Sequence, residues 1–326
     1  MVHTRKIAHP SADSGPPAPV TRPGRWAALW KLVKRDKYLL LIFLPIFCYY
    51  VIFCYLPMPG AIIAFKNYIP GAGMLNGQWV GLKWFAQFFQ SVYFWRLIRN
   101  TFLLAFYPLV FGFPIPILFA ICITEVKNML FRRFTQTLSY FPYFISTVVV
   151  VGMFANFLSL NDGIINTLLS ALGGSRVNFM MDPRWFRGIY SFTVIWQNYG
   201  FSSIIYIAAI TGTDPQLFDA ARVDGARKFQ EIWHITLPSI LPTIVVLLLL
   251  NVGGIMSVGF ERVFLMYNPA TYSSADVIST YVYRQGIEST NYSYATAVGL
   301  FNSVINFAAV YLCNVLSRRT SELSLW

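Results

Sequence analysis

The sequence predicts an all-α membrane protein with six transmembrane helices and both termini on the inner side. Three observations predict it. Six runs of about twenty residues are apolar enough to cross a bilayer. Only 12% of the 326 residues are charged, against about 25% in a soluble domain, so the bilayer is where the missing polar surface is not needed. With the N-terminus inside, the inner segments hold 16 of the 25 Lys and Arg and the outer ones 9. That is the direction of the positive-inside rule, and the longer outer loops strengthen the bias per residue.

The elements follow in order. Residues 1–37 are a basic tail with the Pro/Ser/Ala-rich stretch HPSADSGPPAPVTRPG, a disordered composition. It lacks the short apolar core and small-residue cleavage site of a signal peptide. The next stretch, GRWAALWKLVKRDK with Trp26 and Trp30, fits either an amphipathic helix on the membrane surface or a basic flank that sets topology. The six spans are 38–57, 101–124, 138–157, 188–211, 237–259 and 293–316. Residues 38–317 thus form one membrane domain, and 318–326 a short inner C-terminus. In span two, Pro108, Gly112, Pro114 and Pro116 predict a broken, kinked helix, because each proline removes a backbone donor. The kink fits a bend made during gating or a static one. Cys48, Cys54, Cys122 and Cys313 all lie inside apolar runs and read as small buried hydrophobes rather than disulfides or metal ligands.

Composition also excludes functions. The net charge of +12 does not point to nucleic acid, because the basic residues lie at the ends of apolar runs. No Asp, Glu, Lys, Arg or His lies within the six runs; Glu261 and Arg262 stand at the outer end of the fifth. A proton-coupled carrier needs intramembrane ionisable relays, so a transporter built this way draws its energy elsewhere. The polar residues within the spans are amides and hydroxyls. Gln197 and Asn198 follow Trp196 in span four, Asn251 lies in span five, and Asn302 and Asn306 are four apart in span six, on one helical face. They serve either interhelical hydrogen bonds of about 0.6–2 kcal/mol or a wet path for a hydroxyl-rich solute such as a sugar. Trp196, Gln197, Asn198, Asn251, Glu261, Asn302 and Asn306 are the candidates for such a path.

Between spans four and five runs DPQLFDAARVDGARKFQEIWHITLP, residues 214–238, on the inner side. Asp214 can cap a helix with Pro215 at its first position, continuing through 217–223. Asp224-Gly225 signals a turn. A second helix is expected over 226–235, with Pro238 opening span five. Asp219 can pair with Arg222 three residues on, and Ala220 and Ala221 leave a small-residue face for close approach. Such an elbow, joined directly to two spans, can convert a push into a tilt.

The spacing within this loop is Asp219-Ala220-Ala221, then Gly225 four positions after Ala221, then nine residues, then Ile235-x-Leu237-Pro238. It resembles the EAA loop of the binding-protein-dependent ABC importer permeases, with Asp219 where the family prefers Glu. Further segments are similar to its carbohydrate permeases: Tyr55-Leu56-Pro57, Trp79-Val80-Gly81, Pro142 to Ser146, Asp162 to Asn166, Val258 to Glu261, Ser279 to Arg284 and Gly299 to Ser303. Within the family the likeness points to importers of oligosaccharides, especially oligouronates.

The resemblance implies a type I importer permease (MetI-like) fold in a cell inner membrane. It implies a second homologous permease, two ATPase subunits docking at 214–238, an extracytoplasmic solute-binding protein and an oligosaccharide substrate, with lipid around the spans. Asp219, Ala220, Ala221, Asp224, Gly225, Ile235, Leu237 and Pro238 would couple to the ATPase. The chain has no phosphate loop of the form Gly-x-x-x-x-Gly-Lys-Ser/Thr, so ATP and Mg would be bound by the partner ATPase and no cofactor by this chain. The basic residues of the outer loops, Lys66, Lys83, Arg96, Arg99, Arg176, Arg184 and Arg187, suit an acidic oligosaccharide or an acidic binding protein.

Two other classes compete. A gradient-driven channel or secondary carrier is disfavoured by the charge-free spans. A membrane-embedded transferase needs acid, base or metal groups near the bilayer; Asp162, Asp182, Glu261 and Asp276 are scattered over outer loops without metal-ligand spacing, and His234 stands alone in the inner loop.

Overall fold

The computed structural model describes residues 34–71, 73, 76–253 and 258–320. Most of the basic tail, including Trp26 and Trp30, the end of span five at 254–257 and residues 321–326 lie outside the described residues. The chain divides into two compact units, Met1–Pro59 and Gly60–Trp326.

In the first unit, α1 (Lys37–Tyr50) runs on into a π-turn at Val51–Tyr55, and neither buries a residue. Its apolar surface lies open all round, as on a helix whose solvent is lipid. Cys48 and Cys54, expected to be buried, are exposed on it, as is Cys122 in the second unit. An apolar residue in a membrane helix faces lipid as readily as a core, which corrects that expectation. The Cys313 side chain lies outside the described residues.

The second unit opens with a small antiparallel pair, β1 (Lys66–Asn67) and β2 (Gln78–Trp79), in the register Lys66↔Trp79, followed by the short helix α2 (Lys83–Phe89). Span two is not broken. It is one 31-residue helix, Phe94–Thr124, made of α3 (Phe94–Tyr107), a π-turn at Pro108–Gly112 and α4 (Pro114–Thr124). The ladder slips to the wider i→i+5 spacing where the prolines withdraw donors, so the helix bends at Phe113 without ending. The π-turns at Val51–Tyr55, Pro108–Gly112 and Ile232–Thr236 each end two residues before a proline.

Span three departs furthest from expectation. The run 138–157 is the end of α5 (Met129–Tyr140), a 3₁₀ turn at Phe141–Phe144 and α6 (Thr147–Phe157), with α5 and α6 bent by 100° at the break. Pro142 enters the turn, Ile145 is extended, and the Ser146 hydroxyl caps α6 by accepting from the Val149 N–H. A run apolar throughout shows continuous hydrophobicity but not a corner, because capping chemistry is local and overrides the run.

Beyond α7 (Ile164–Ala171) lies the central helix, α8 (Pro183–Thr211). At 1.5 Å per residue its 29 residues extend about 43 Å, enough to span, yet its Gln, Asn, Ser and Thr leave it less apolar than the others. Among the described residues four helices are long and apolar enough to cross a membrane, or five with the bent pair as one; α8 is not among them. It packs along α4 and also touches α3, α5, α6 and the later segments Leu237–Gly253 and Tyr272–Ala275. Gly200 allows the tightest approach: a Cβ there would lie 1.9 Å from the Ser139 carbonyl oxygen of α5.

The loop after α8 forms α9 (Pro215–Val223) with Asp214 as its cap and Pro215 at its start, as expected. The second loop helix is not separate from span five. α10 (Lys228–Glu231), a π-turn at Ile232–Thr236 and α11 (Leu237–Gly253) form one continuous helix. Pro238 opens nothing; the π-turn before it absorbs the clash its ring would make. The chain then forms α12 (Phe260–Met266), α13 (Tyr272–Ala275), α14 (Ile278–Tyr283) and the long α15 (Tyr292–Thr320), which packs on α11, α14 and α2.

Candidate functional site

Two regions of the second unit carry chemistry. The first is the hairpin of α9 and α10. Its turn is a Schellman motif: Ala226 N–H donates to the Ala221 carbonyl at 2.9 Å and Gly225 N–H to the Arg222 carbonyl at 3.1 Å. Gly225 has φ +81°, a left-handed position where glycine alone escapes a steric penalty. The Gly of the motif is thus a backbone requirement.

Charge holds the two helices together. Glu231, 3% exposed, accepts from Arg222 Nε of α9 at 3.0 Å and from Lys228 Nζ at 2.9 Å. The Lys228 and Arg222 hydrogen bonds hold its carboxyl below the ordinary carboxylate range. Lys228 also reaches Glu125 at the end of α4, 2.7 Å away. The Asp219–Arg222 pair read from sequence forms at 3.4 Å, the outermost and weakest of these contacts. Sequence reasoning missed Glu231, Lys228 and Glu125. The i, i+3 spacing of Lys228 and Glu231 was the available signal.

Around this buried carboxylate the hairpin's other charges stay exposed, and apolar side chains stand out among them. Val223 is 88% exposed and Phe229 73%, and Phe229 stacks on Trp233 one turn later, ring centres 6.2 Å apart. Asp219, Ala220, Asp224, Gly225 and Pro238 are exposed, while Ala221, Ile235 and Leu237 are half-buried. His234 is exposed, its Nδ1 3.1 Å from the Gln230 carbonyl. Phe229 and Trp233 thus form a small exposed aromatic patch on an otherwise polar loop.

The second region is a cavity of about 950 Å³ lined by the middle of α8, the proline-rich turn of span two, α11 and the segment 258–262. Asn198, Asn251, Glu261 and Arg262 are among its polar lining residues. Of the seven path candidates, three therefore line it. Asn198 and Asn251 each donate to the carbonyl one turn back, Val194 and Leu247, at 2.8 Å. Gln197 is buried and bridges instead: its Nε2 donates to the Ile145 carbonyl at 2.6 Å, and its Oε1 accepts from Arg262. That bond supplies a partner to irregular backbone at the α5–α6 corner, which membrane interiors otherwise penalise. Trp196 packs edge-on against Phe154. Asn302 and Asn306 lie on α15, away from the cavity lining, and the Asn302 Oδ1 is buried without a hydrogen-bond partner among the described residues.

The basic outer face expected from sequence is largely engaged. Asp276 is fully buried and accepts from Arg284 Nη2 at 2.8 Å and Arg96 Nη2 at 3.3 Å. Asn100 donates to the Asp276 carbonyl at 3.0 Å and accepts from Arg187 at 2.9 Å. Arg184 is tied to Asp182, the cap of α8, and its hydrogen bonds hold that carboxyl below its ordinary range. Arg176 donates to the Asn161 carbonyl. Apart from Arg184, which only braces the start of its own helix, these arginines tie separate segments together, a use of charge that a linear count cannot distinguish from a free surface. Among the described residues no three His, Cys, Asp or Glu side chains gather as a metal site.

Comparison with known proteins gives the context. Residues 112–322 match the family described as binding-protein-dependent transport system inner membrane component. The chain is 43% identical over 298 residues to the polygalacturonan/rhamnogalacturonan transport system permease protein YteP of Bacillus subtilis (strain 168), covering 91% of this chain and 92% of that protein. It superposes with TM-score 0.83 and 46% identity on a chain in the crystal structure of a bacterial ABC transporter involved in the import of the acidic polysaccharide alginate, over 90% of this chain and 99% of that one. A crystal structure of bacterial alginate ABC transporter in complex with alginate pentasaccharide-bound periplasmic protein matches with TM-score 0.84 and 45% identity, over 91% and 99%.

Proposed function

The chain belongs to the binding-protein-dependent transport system inner membrane components, the non-catalytic permease subunits of ABC transporters, and we propose that it forms half of the translocation path of an importer for an acidic oligosaccharide. The substrate class is an oligouronate such as alginate. In this reading the spans are six, counting α8 and the bent pair, with both termini cytoplasmic and the 214–238 hairpin below the membrane. A second, homologous permease completes the cavity, two ATPase subunits dock on the hairpins, and a solute-binding protein delivers sugar from outside.

One observation carries the mechanism. The helix Lys228–Val252 is a single rod whose start bears the exposed Phe229 and Trp233 and whose far part lines the cavity through Leu247 and Asn251. Closure of the ATPase dimer against the aromatic face would move the cavity wall through this one continuous helix. The Glu231 lock to Arg222 and Lys228 makes the hairpin stiff enough to transmit it, and the bridge to Glu125 brings span two into the same movement. Asp219, Ala220, Ala221, Asp224, Gly225, Ile235, Leu237 and Pro238 form the coupling segment. The substrate reading is supported by relatives whose own cargoes are acidic polysaccharides.

The test is co-purification of the chain from its native membrane, followed by an ATPase assay of what accompanies it. Recovery of a second permease and an ATPase, with hydrolysis stimulated by a binding protein loaded with alginate oligosaccharide, is the expected result. Stimulation only by a neutral oligosaccharide would overturn the substrate class. Recovery of the chain alone, with gradient-driven uptake in liposomes, would overturn the importer.

A further inference from the structure

Three charged residues are buried among the described residues: Glu231, Arg262 and Asp276. Glu231 has Arg222 and Lys228, and Asp276 has Arg96 and Arg284. Arg262, 8% exposed, has no carboxylate within ion-pair distance among the described residues. Glu261 is its neighbour in the chain but does not pair with it. Among the described residues Arg262 is held by one arm: Nη2 donates to Gln197 Oε1, while Nη1 is buried without a partner. A desolvated guanidinium with no counter-ion is costly, and a buried polar group left unpaired calls for a reason other than packing.

The surroundings supply the reason. Arg262 lines the cavity of about 950 Å³, within the size range of ligand sites. Its head is fixed, because the Gln197 amide that holds it is itself anchored on the Ile145 carbonyl. A fixed guanidinium whose Nη1 has no partner among the described residues is a receptor for a carboxylate oxygen, which it meets with a charge-assisted hydrogen bond. We propose that Arg262 is a carboxylate-binding, specificity-determining residue of the translocation path, the group that distinguishes a uronate from a neutral sugar. This rests on the oligouronate reading of the cargo. Glu261, also in the lining, sets the strength: a negative charge beside Arg262 keeps the carboxylate from being held too tightly, as passage requires entry and release.

The experiment uses the importer complex purified from its native membrane and reconstituted in liposomes. Uptake of an alginate oligosaccharide is compared with uptake of its carboxyl-reduced, neutral counterpart of equal length, and the ratio is the readout. In R262Q the ratio is expected to fall about tenfold or more, the loss of one charge-assisted contact, with the neutral sugar still carried. R262K keeps the charge without the fork and is expected to restore part of the ratio. E261Q is expected to lower KM for the acidic sugar and not for the neutral one. An unchanged ratio in R262Q would make Arg262 a structural residue and overturn the proposal. Should R262Q not assemble, an unchanged ratio in both R262K and E261Q does the same. A wild-type complex that carries only the neutral sugar overturns the oligouronate reading itself, an outcome visible before any variant is made.

Discussion

The 214–238 hairpin and the loop cluster around Asp276 solve the same problem with different reach. Each buries one carboxylate between two basic side chains. Around Glu231 the partners lie three and nine residues away and stay half-exposed, Lys228 at 56% and Arg222 at 53%. Around Asp276 the partners lie 8 and 180 residues away and are more enclosed, Arg284 at 20% and Arg96 at 33%. The first arrangement stiffens one local lever that water can still reach. The second pins distant parts of the chain into one frame. A lever of the kind proposed for the hairpin can be locked locally, whereas the frame it would move against is tied across the fold.

Breaking the frame is expected to have the largest effect. Asp276→Asn leaves two guanidinium groups without their buried counter-ion and should cost about 3–5 kcal/mol, read as loss of folded permease in a detergent thermal-unfolding assay. Next comes the exposed aromatic face proposed to dock the ATPase. Truncating both Phe229 and Trp233 to Ala should lower ATPase recovery on co-purification by an amount equivalent to about 2 kcal/mol or more, the scale of aromatic hot spots. Unfolding should be unaffected, because both side chains are exposed; a parallel drop in thermal stability would mean they pack rather than dock. Gly225→Ala forces a Cβ into a left-handed turn and should cost the hairpin about 1 kcal/mol, measured by hydrogen exchange of the Ala226 amide, whose bond to the Ala221 carbonyl closes the turn.

The smallest effect is a pH dependence that separates the two regions further. The Glu231 carboxyl lies below its ordinary 4.5 because Lys228, then Arg222, hydrogen-bond its charged form. Its stabilisation of the hairpin is therefore complete above that ordinary value and is lost as pH falls through the lowered one. Trp233 fluorescence should report this loosening in acid, and Glu231→Gln should abolish the transition. A transition of the same size in the Gln variant would assign it to another group.

Much of the hairpin was legible in the sequence because its causes are local. Asp214 and Pro215 start α9 by capping chemistry, Gly225 ends it because a left-handed turn needs glycine, and Asp219 meets Arg222 one helical turn away. The cavity was less legible. Asn198, Asn251 and Glu261 line it, but Gln197 turned out to bridge to Ile145, and Asn302 and Asn306 face elsewhere, because a helix's rotation is set by its neighbours. Arg262 passed unnoticed as a cavity residue for a related reason: whether an arginine has a counter-ion depends on what folds around it.

The sequence by itself determined the solvent and the family. Apolar runs near twenty residues and sparse charge settle that helices lie in a bilayer, and register within the 214–238 loop carries the family likeness, since both depend on residue type and short spacing alone. Only the tertiary structure decided that span three turns a 100° corner, that the loop helix and span five are one continuous helix, that Asp276 is a hub and that Arg262 has no counter-ion among the described residues. Those features depend on long-range packing, where desolvation and hydrogen-bond supply are fixed by groups far apart in the chain.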